Sequence, residues 1–203
     1  MALESVSPAR LEAFSDGVIA VIITIMVLEL KAPPVDGWVG FRMAAPALLL
    51  YLLTFTQVGI YWVNHHYLTD EIQSVSHGML WANLIFLFNL SLFPFGTAWV
   101  AARGLSSFAA ALYAVISLLP GLSYTVLSLL IHVGSGPTPP WTRLRQVLSN
   151  VLYFSAIPVA YYKPLFSMVL IGTVALLWTL PPEKSLAQRG RQAGTSTLPA
   201  EDR

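Results

Sequence analysis

Arg10, Phe14, Ser15 and Asp16 stand close together at the start of a long apolar run, in a chain with few charges elsewhere. A carboxylate at the edge of hydrocarbon is costly and usually faces a bundle interior or a watery cavity. Only twelve uncharged residues separate Asp16 from Glu29, fewer than the roughly 20 needed to span a bilayer as helix. Either this is a short buried helix, or Asp16 and Glu29 sit at protein-lined or hydrated depths. Within it, Val21, Thr24, Ile25 and Leu28 recur at helical spacing and share one face, which Phe14, Gly17 and Val18 continue towards the N-terminus. Thr24 is the only polar residue in the central part of that face. Two readings stay open at this level. A hydroxyl there can replace part of an ion's hydration shell, or it simply bonds the carbonyl of Ala20 while the Val/Ile/Leu stripe packs against another helix.

Further polar groups stand at His65-His66, His77 and Asn83. Asp16 follows Arg10 by six residues, about 600° around a helix, so the two cannot meet within one chain's helix. Each is expected to find a partner on another helix, with His77 and Asn83 as candidates. Those two are about 240° apart on their own helix, so only one of them is expected to join. The plainer alternatives are a Ser15 or Asp16 N-cap and solvated interfacial histidines.

The elements that position these groups are membrane helices. Apolar residues make up 56% of the 203 and charged residues only 10%, with mean hydropathy +0.67, against about a quarter charged in a soluble domain. Long stretches carry no charge at all, among them 43–69, 78–102 and 104–142. Continuous runs of that kind exclude a lipid-facing barrel, whose strands alternate over about ten residues. The predicted architecture is all-α, a polytopic domain over 1–182 with six spans near 11–30, 42–65, 77–101, 106–132, 144–161 and 164–180. A polar, flexible cytoplasmic tail is expected over 183–203. Pro33-Pro34, the proline-rich stretch to Pro140, Tyr162-Lys163-Pro164 and Pro181-Pro182 supply the breaks. With both ends cytoplasmic, the inner segments hold Arg10, Arg143, Arg145, Lys184, Arg189, Arg191 and Arg203. The outer ones hold Lys31, Arg42, Arg103 and Lys163. Seven against four favours both termini inside. The basic-then-apolar start is not read as a cleaved leader, because Glu12 and Asp16 interrupt it and no small-residue cleavage site follows. A net charge of +1 and the absence of cysteine leave no nucleic-acid footprint and no thiolate site.

The motif Arg10-x-x-x-Phe14-Ser15-Asp16-Gly17 opening an Ile/Val-rich helix resembles the signature of the transmembrane protein 175 family, endolysosomal potassium channels and their prokaryotic homologues. The likeness continues in Trp62-x-x-His65-His66, in His77-x-x-Leu80-Trp81-x-Asn83-Leu84 and in Leu92-Phe-Pro-Phe-Gly-Thr97. It covers about the first half of the chain. With one Phe-Ser-Asp, the sequence is similar to the single-repeat prokaryotic form rather than the two-repeat animal form. The resemblance implies a cyclic homotetramer in a prokaryotic cell membrane, with the first helices around the axis. It implies hydrophobic constrictions at Val21, Ile25 and Leu28 and a tentative potassium-binding hydroxyl ring at Thr24. It leaves Arg10, Phe14, Ser15 and Asp16 as structural. Val21 departs from the bulkier Ile or Leu usual at the lowest constriction, which puts the tightness of closure in question. The chain lacks the Thr-Val-Gly-Tyr-Gly loop of other potassium channels, so selectivity falls to side chains of the first helix. A closed ring of copies is also the ordinary way for one narrow stripe to enclose water.

The expected function is a potassium-permeable cation channel whose partners are its own copies, lipid and permeant monovalent cations, with no cofactor. A secondary transporter is the alternative and would call for matching interrupted helices in two halves. Pro94-Phe-Gly96 and Pro120-Gly121 are interruptions, but no matching halves are visible. An enzyme is not expected, because the chain has no His-Glu-x-x-His and no second aspartate within a span.

Overall fold

The computed structural model describes residues 6–135 and 139–179. The expected tail over 183–203 lies outside them. The described residues form helices α1 (Pro8–Leu28), α2 (Gly37–Thr69), α3 (His77–Ser91), α4 (Phe93–Arg103), α5 (Ser107–Ser135), α6 (Pro140–Tyr162) and α7 (Pro164–Thr179). α3 and α4 are two halves of one broken rod, so six helical rods build the subunit. Four of them, 8–28, 37–69, 77–103 and 107–133, are long and apolar enough to cross a bilayer. The protein is a multi-pass membrane protein.

Local chemistry explains the boundaries. Pro8 opens α1 at a position where a missing N–H costs nothing. The helix therefore begins a turn before Leu11, which puts Ser15 and Asp16 about two turns inside it and rules out the N-cap reading for either. The Asp36 carboxylate accepts from the Gly37 amide at 2.7 Å, and α2 runs past the 42–65 expected at both ends. Gly40 in its first turn is enclosed, since a Cβ there would fall on the Val35 carbonyl. Ser76 caps α3 through the Met79 amide at 3.2 Å, and Ser106 caps α5 through the Ala109 amide at 3.2 Å. The break at Leu92 follows from Pro94, which has no N–H to return to the Leu90 carbonyl. Gly104, at φ 69°, ends α4 in the left-handed region that glycine enters most easily.

In a bilayer, lipid is as apolar as leucine, so packing and hydrogen bonds rather than water exclusion hold helices together. The core matches that logic. Phe86, Leu90 and Phe93 of the broken rod lock against Tyr113 and Leu127 of α5, all essentially inaccessible. Ala109, Ala110 and Ala114 on α5 and Ala156 and Ala160 on α6 are fully buried, which lets backbones approach closely. A buried polar chain crosses four helices. Thr54 of α2 lies 3.0 Å from the Thr97 hydroxyl of α4 and 2.7 Å from the Tyr113 hydroxyl of α5. Tyr113 donates to Gln57 at 2.8 Å, and the Gln57 amide donates to the Tyr153 hydroxyl of α6 at 3.2 Å. Groups so placed have no water to fall back on, so each partner fixes the others.

Candidate functional site: the two faces of the first helix

α1 has one face buried in the subunit and one that stands exposed among the described residues. Leu11, Ser15, Ile19, Ile22 and Met26 are buried, and this stripe seats the helix on α2 and α3. On the other side Phe14, Val21, Ile25 and Leu28 are 53%, 54%, 43% and 75% exposed. Gly17, Ala20 and Thr24 are exposed with them. The Thr24 hydroxyl donates to the Val21 carbonyl at 2.9 Å, one residue off the Ala20 acceptor expected from spacing. Its proton is thereby used within its own helix, and both lone pairs of its oxygen remain as acceptors. That is the polarity a cation needs, since it binds oxygen lone pairs and is repelled by a hydroxyl proton.

What fixes the azimuth of α1 is a polar clamp on its buried side. The Ser15 hydroxyl donates to the Leu11 carbonyl at 2.8 Å and accepts from the Asn83 side-chain amide of α3 at 2.9 Å. The Asn83 carbonyl oxygen lies 2.8 Å from His65 Nε2 of α2. An amide oxygen only accepts, so that nitrogen carries the proton and the ring tautomer is set. Ser15, Asn83 and His65 are 0%, 3% and 0% exposed. The His65 ring stacks on Phe86 at 5.6 Å and 5°, while its Nδ1 is buried without a partner. One serine, one asparagine and one histidine thus pin three helices at a single point.

Asp16 takes a partner other than the two expected. Its Oδ1 accepts from the Trp62 indole N–H of α2 at 2.9 Å, and neither His77 nor Asn83 reaches it. The reason is azimuth: Asn83 faces the Ser15 side of α1, one residue and about 100° away from Asp16. His77 is exposed, and its Nε2 accepts from Trp81 of its own helix at 2.8 Å, so it stays outside the clamp. Arg10 is exposed on the same stripe as Phe14 and Gly17, and among the described residues no ion-pair partner approaches it. A third tie lies one turn below Asp16, where His66 Nδ1 stands 2.7 Å from the Glu12 carboxylate. Sequence spacing did not single out Trp62, His65 or Glu12 as site residues. The available signal was an isolated donor at the end of a charge-free span facing an isolated acceptor at the start of another.

Comparisons with known proteins identify the family. The family model described as endosomal/lysosomal potassium channel TMEM175 matches residues 10–94, from the arginine of the motif to Pro94 beyond the clamp. A potassium channel of Chryseobacterium sp. strain P1-3 is 37% identical over 187 residues, covering 88% of this chain and 97% of that protein. A potassium channel of Streptomyces collinus is 29% identical over 185 residues, covering 83% and 90%. Among solved structures, a TMEM175 homologue from Chamaesiphon minutus, described as a lysosomal potassium-selective channel, superposes with TM-score 0.68 at 25% identity. The match covers 85% of this chain and 96% of that one. With a relative 37% identical matched over 97% of its length, and with Ser15 and Asp16 of the motif each bonded to another helix, the chain is a member of the TMEM175 family.

Proposed function

We propose that this protein is a potassium-permeable channel in a prokaryotic cell membrane, assembled as a cyclic tetramer with the uncovered face of α1 around the axis. The observation that carries the reading is that face itself. Among the described residues nothing covers Val21, Thr24, Ile25 and Leu28, which stand exposed, while the Ser15–Asn83–His65 clamp holds the opposite side. Four copies of an apolar stripe with one hydroxyl at its middle make a narrow path with rings at Val21, Ile25 and Leu28. Such rings gate by losing their water. The Thr24 ring between them supplies oxygens in place of part of an ion's hydration shell, and the bond to Val21 keeps those lone pairs available. The potassium-channel names of the two bacterial relatives support the permeant ion.

Both termini are assigned to the cytoplasm by the seven-to-four bias of Lys and Arg. An impermeant thiol reagent that labels a cysteine appended to either end in intact cells would reverse that topology. The function is tested by reconstituting the purified chain in planar bilayers with opposed potassium and sodium gradients. Channel currents with a reversal potential displaced towards the potassium equilibrium support the reading. Proton-coupled flux of fixed stoichiometry without unitary currents overturns it in favour of a transporter.

A further inference from the structure

We propose that Glu12, His66 and Asp70 form a binding site for a divalent transition metal of the zinc class, clamping α1 to the end of α2. One ligand atom from each residue lies within 4.8 Å of the other two. His66 and Asp70 stand one helical turn apart, with the His66 Nε2 to Asp70 Oδ2 distance 4.0 Å. Glu12 comes from a different helix and approaches the other ring nitrogen, His66 Nδ1, at 2.7 Å, whereas a single ion takes the ring through one nitrogen only. Ligand bonds of about 2.0–2.2 Å in tetrahedral geometry put donor atoms roughly 3.3 Å apart. Whichever nitrogen ligates, the carboxylate now at the other ring edge must swing round to it, and the three ligand atoms, within 4.8 Å of one another, must close by up to about 1.5 Å. That is a change of rotamer rather than of backbone.

The donor set selects the metal class. One imidazole with two carboxylates suits zinc, cobalt or nickel, whereas magnesium and calcium prefer oxygen ligands alone. Three protein ligands leave a fourth position for water. His66 and Asp70 are exposed and Glu12 is half-buried, so an ion reaches the site directly from solvent. At the same end of the bundle His132 stands 3.3 Å from Glu71, a histidine beside a single carboxylate, and it serves as the internal control. The site borders α1 one turn from Asp16, so an occupied metal ties the first helix to α2 more firmly than the ion pair alone. The binding claim stands apart from the pore reading and is tested without measuring flux.

The test is a titration of the purified full chain with cobalt(II), followed by its visible absorption bands. Saturable binding is expected, with at least a tenfold loss of affinity in His66→Ala and in Asp70→Asn and none in His132→Ala. Binding should weaken from pH 7 to pH 6, because the imidazole must shed its proton to ligate. Zinc should also raise the melting temperature of the unmodified chain and not that of His66→Ala. Absence of saturable binding up to millimolar cobalt overturns the proposal. So does binding that survives His66→Ala or is lost in His132→Ala.

Discussion

Replacing Asn83 by leucine tests the clamp that orients the first helix. Leucine keeps the volume but removes the bond donated to Ser15 at 2.9 Å and the one accepted from His65 at 2.8 Å. Interhelical hydrogen bonds in membrane proteins average about 0.6 kcal/mol each, so these two contribute roughly 1 kcal/mol. Most of the loss comes from His65, whose ring is wholly buried and whose Nε2–H is left without a partner, at about 1–3 kcal/mol. Together they come to roughly 2–4 kcal/mol. At about 2–4 °C per kcal/mol for a chain of this size, the expected fall in melting temperature is roughly 5–15 °C. Ser15 keeps its bond to Leu11 in this variant, so it adds little. The assay is the fraction of assembled protein surviving a heat ramp in one detergent, read by size-exclusion chromatography. The double variant Asn83→Leu with His65→Phe separates the stranded donor from the lost bonds. Removing the stranded donor while keeping a ring against Phe86 should recover most of the loss. A double variant no more stable than Asn83→Leu alone, or a single variant as stable as the unmodified chain, refutes the clamp.

The other expectations concern the two sides of the same helix. Asp16→Asn keeps an acceptor for the Trp62 indole and should lower the melting temperature by only a few degrees, measured in the same heat ramp; a selectivity change at unchanged stability would instead put Asp16 in the pore. Leu28→Ala, at the most exposed position of the face (75%), should raise single-channel conductance, and Ile25→Ala should raise it less. Conductance unchanged in both would place the path elsewhere. Thr24→Val removes the lone pairs with little change in width, so the bi-ionic reversal potential should move modestly towards equal permeability. A reversal potential that does not move would leave Thr24 as a threonine bonded only to its own helix.

The helices were legible because hydrocarbon leaves the backbone no alternative, and because Pro33-Pro34, Pro139-Pro140 and Pro164 mark ends that any helix must respect. Even α6 and α7, separated only around Lys163, announced their break through the proline that follows. The division of the third rod at Leu92 was less plain, since Pro94 also sits inside a motif that reads as continuous. The Val21–Thr24–Ile25–Leu28 face of α1 followed from spacing, with Thr24 as its single central hydroxyl, but spacing left open whether another helix packs on it. Partner identities did not follow. The acceptor for the Trp62 indole and the donor to Ser15 depend on how α2 and α3 are rotated against α1, which periodicity leaves free when nearly every face is apolar. The Thr54–Tyr113–Gln57–Tyr153 chain was hidden for the same reason. Thr54 and Gln57 share α2 while Tyr113 and Tyr153 come from α5 and α6, and only assembly shows that they meet. Gln57, an amide in the charge-free stretch 43–69 of its helix, was the signal available.

The central claim is that the Val21–Thr24–Ile25–Leu28 face of α1 lines the conducting path, and cysteine accessibility tests it most directly. The chain has no native cysteine, so a thiol introduced at Thr24, Ile25 or Leu28 is the only target for a positively charged methanethiosulfonate. Ile22, 4% exposed on the opposite side of the helix, is the matched control. Applied to open channels in planar bilayers, the reagent should block potassium current in Thr24→Cys, Ile25→Cys and Leu28→Cys and leave Ile22→Cys unaffected. Block confined to Ile22→Cys, or absent from all three exposed positions, would contradict the account.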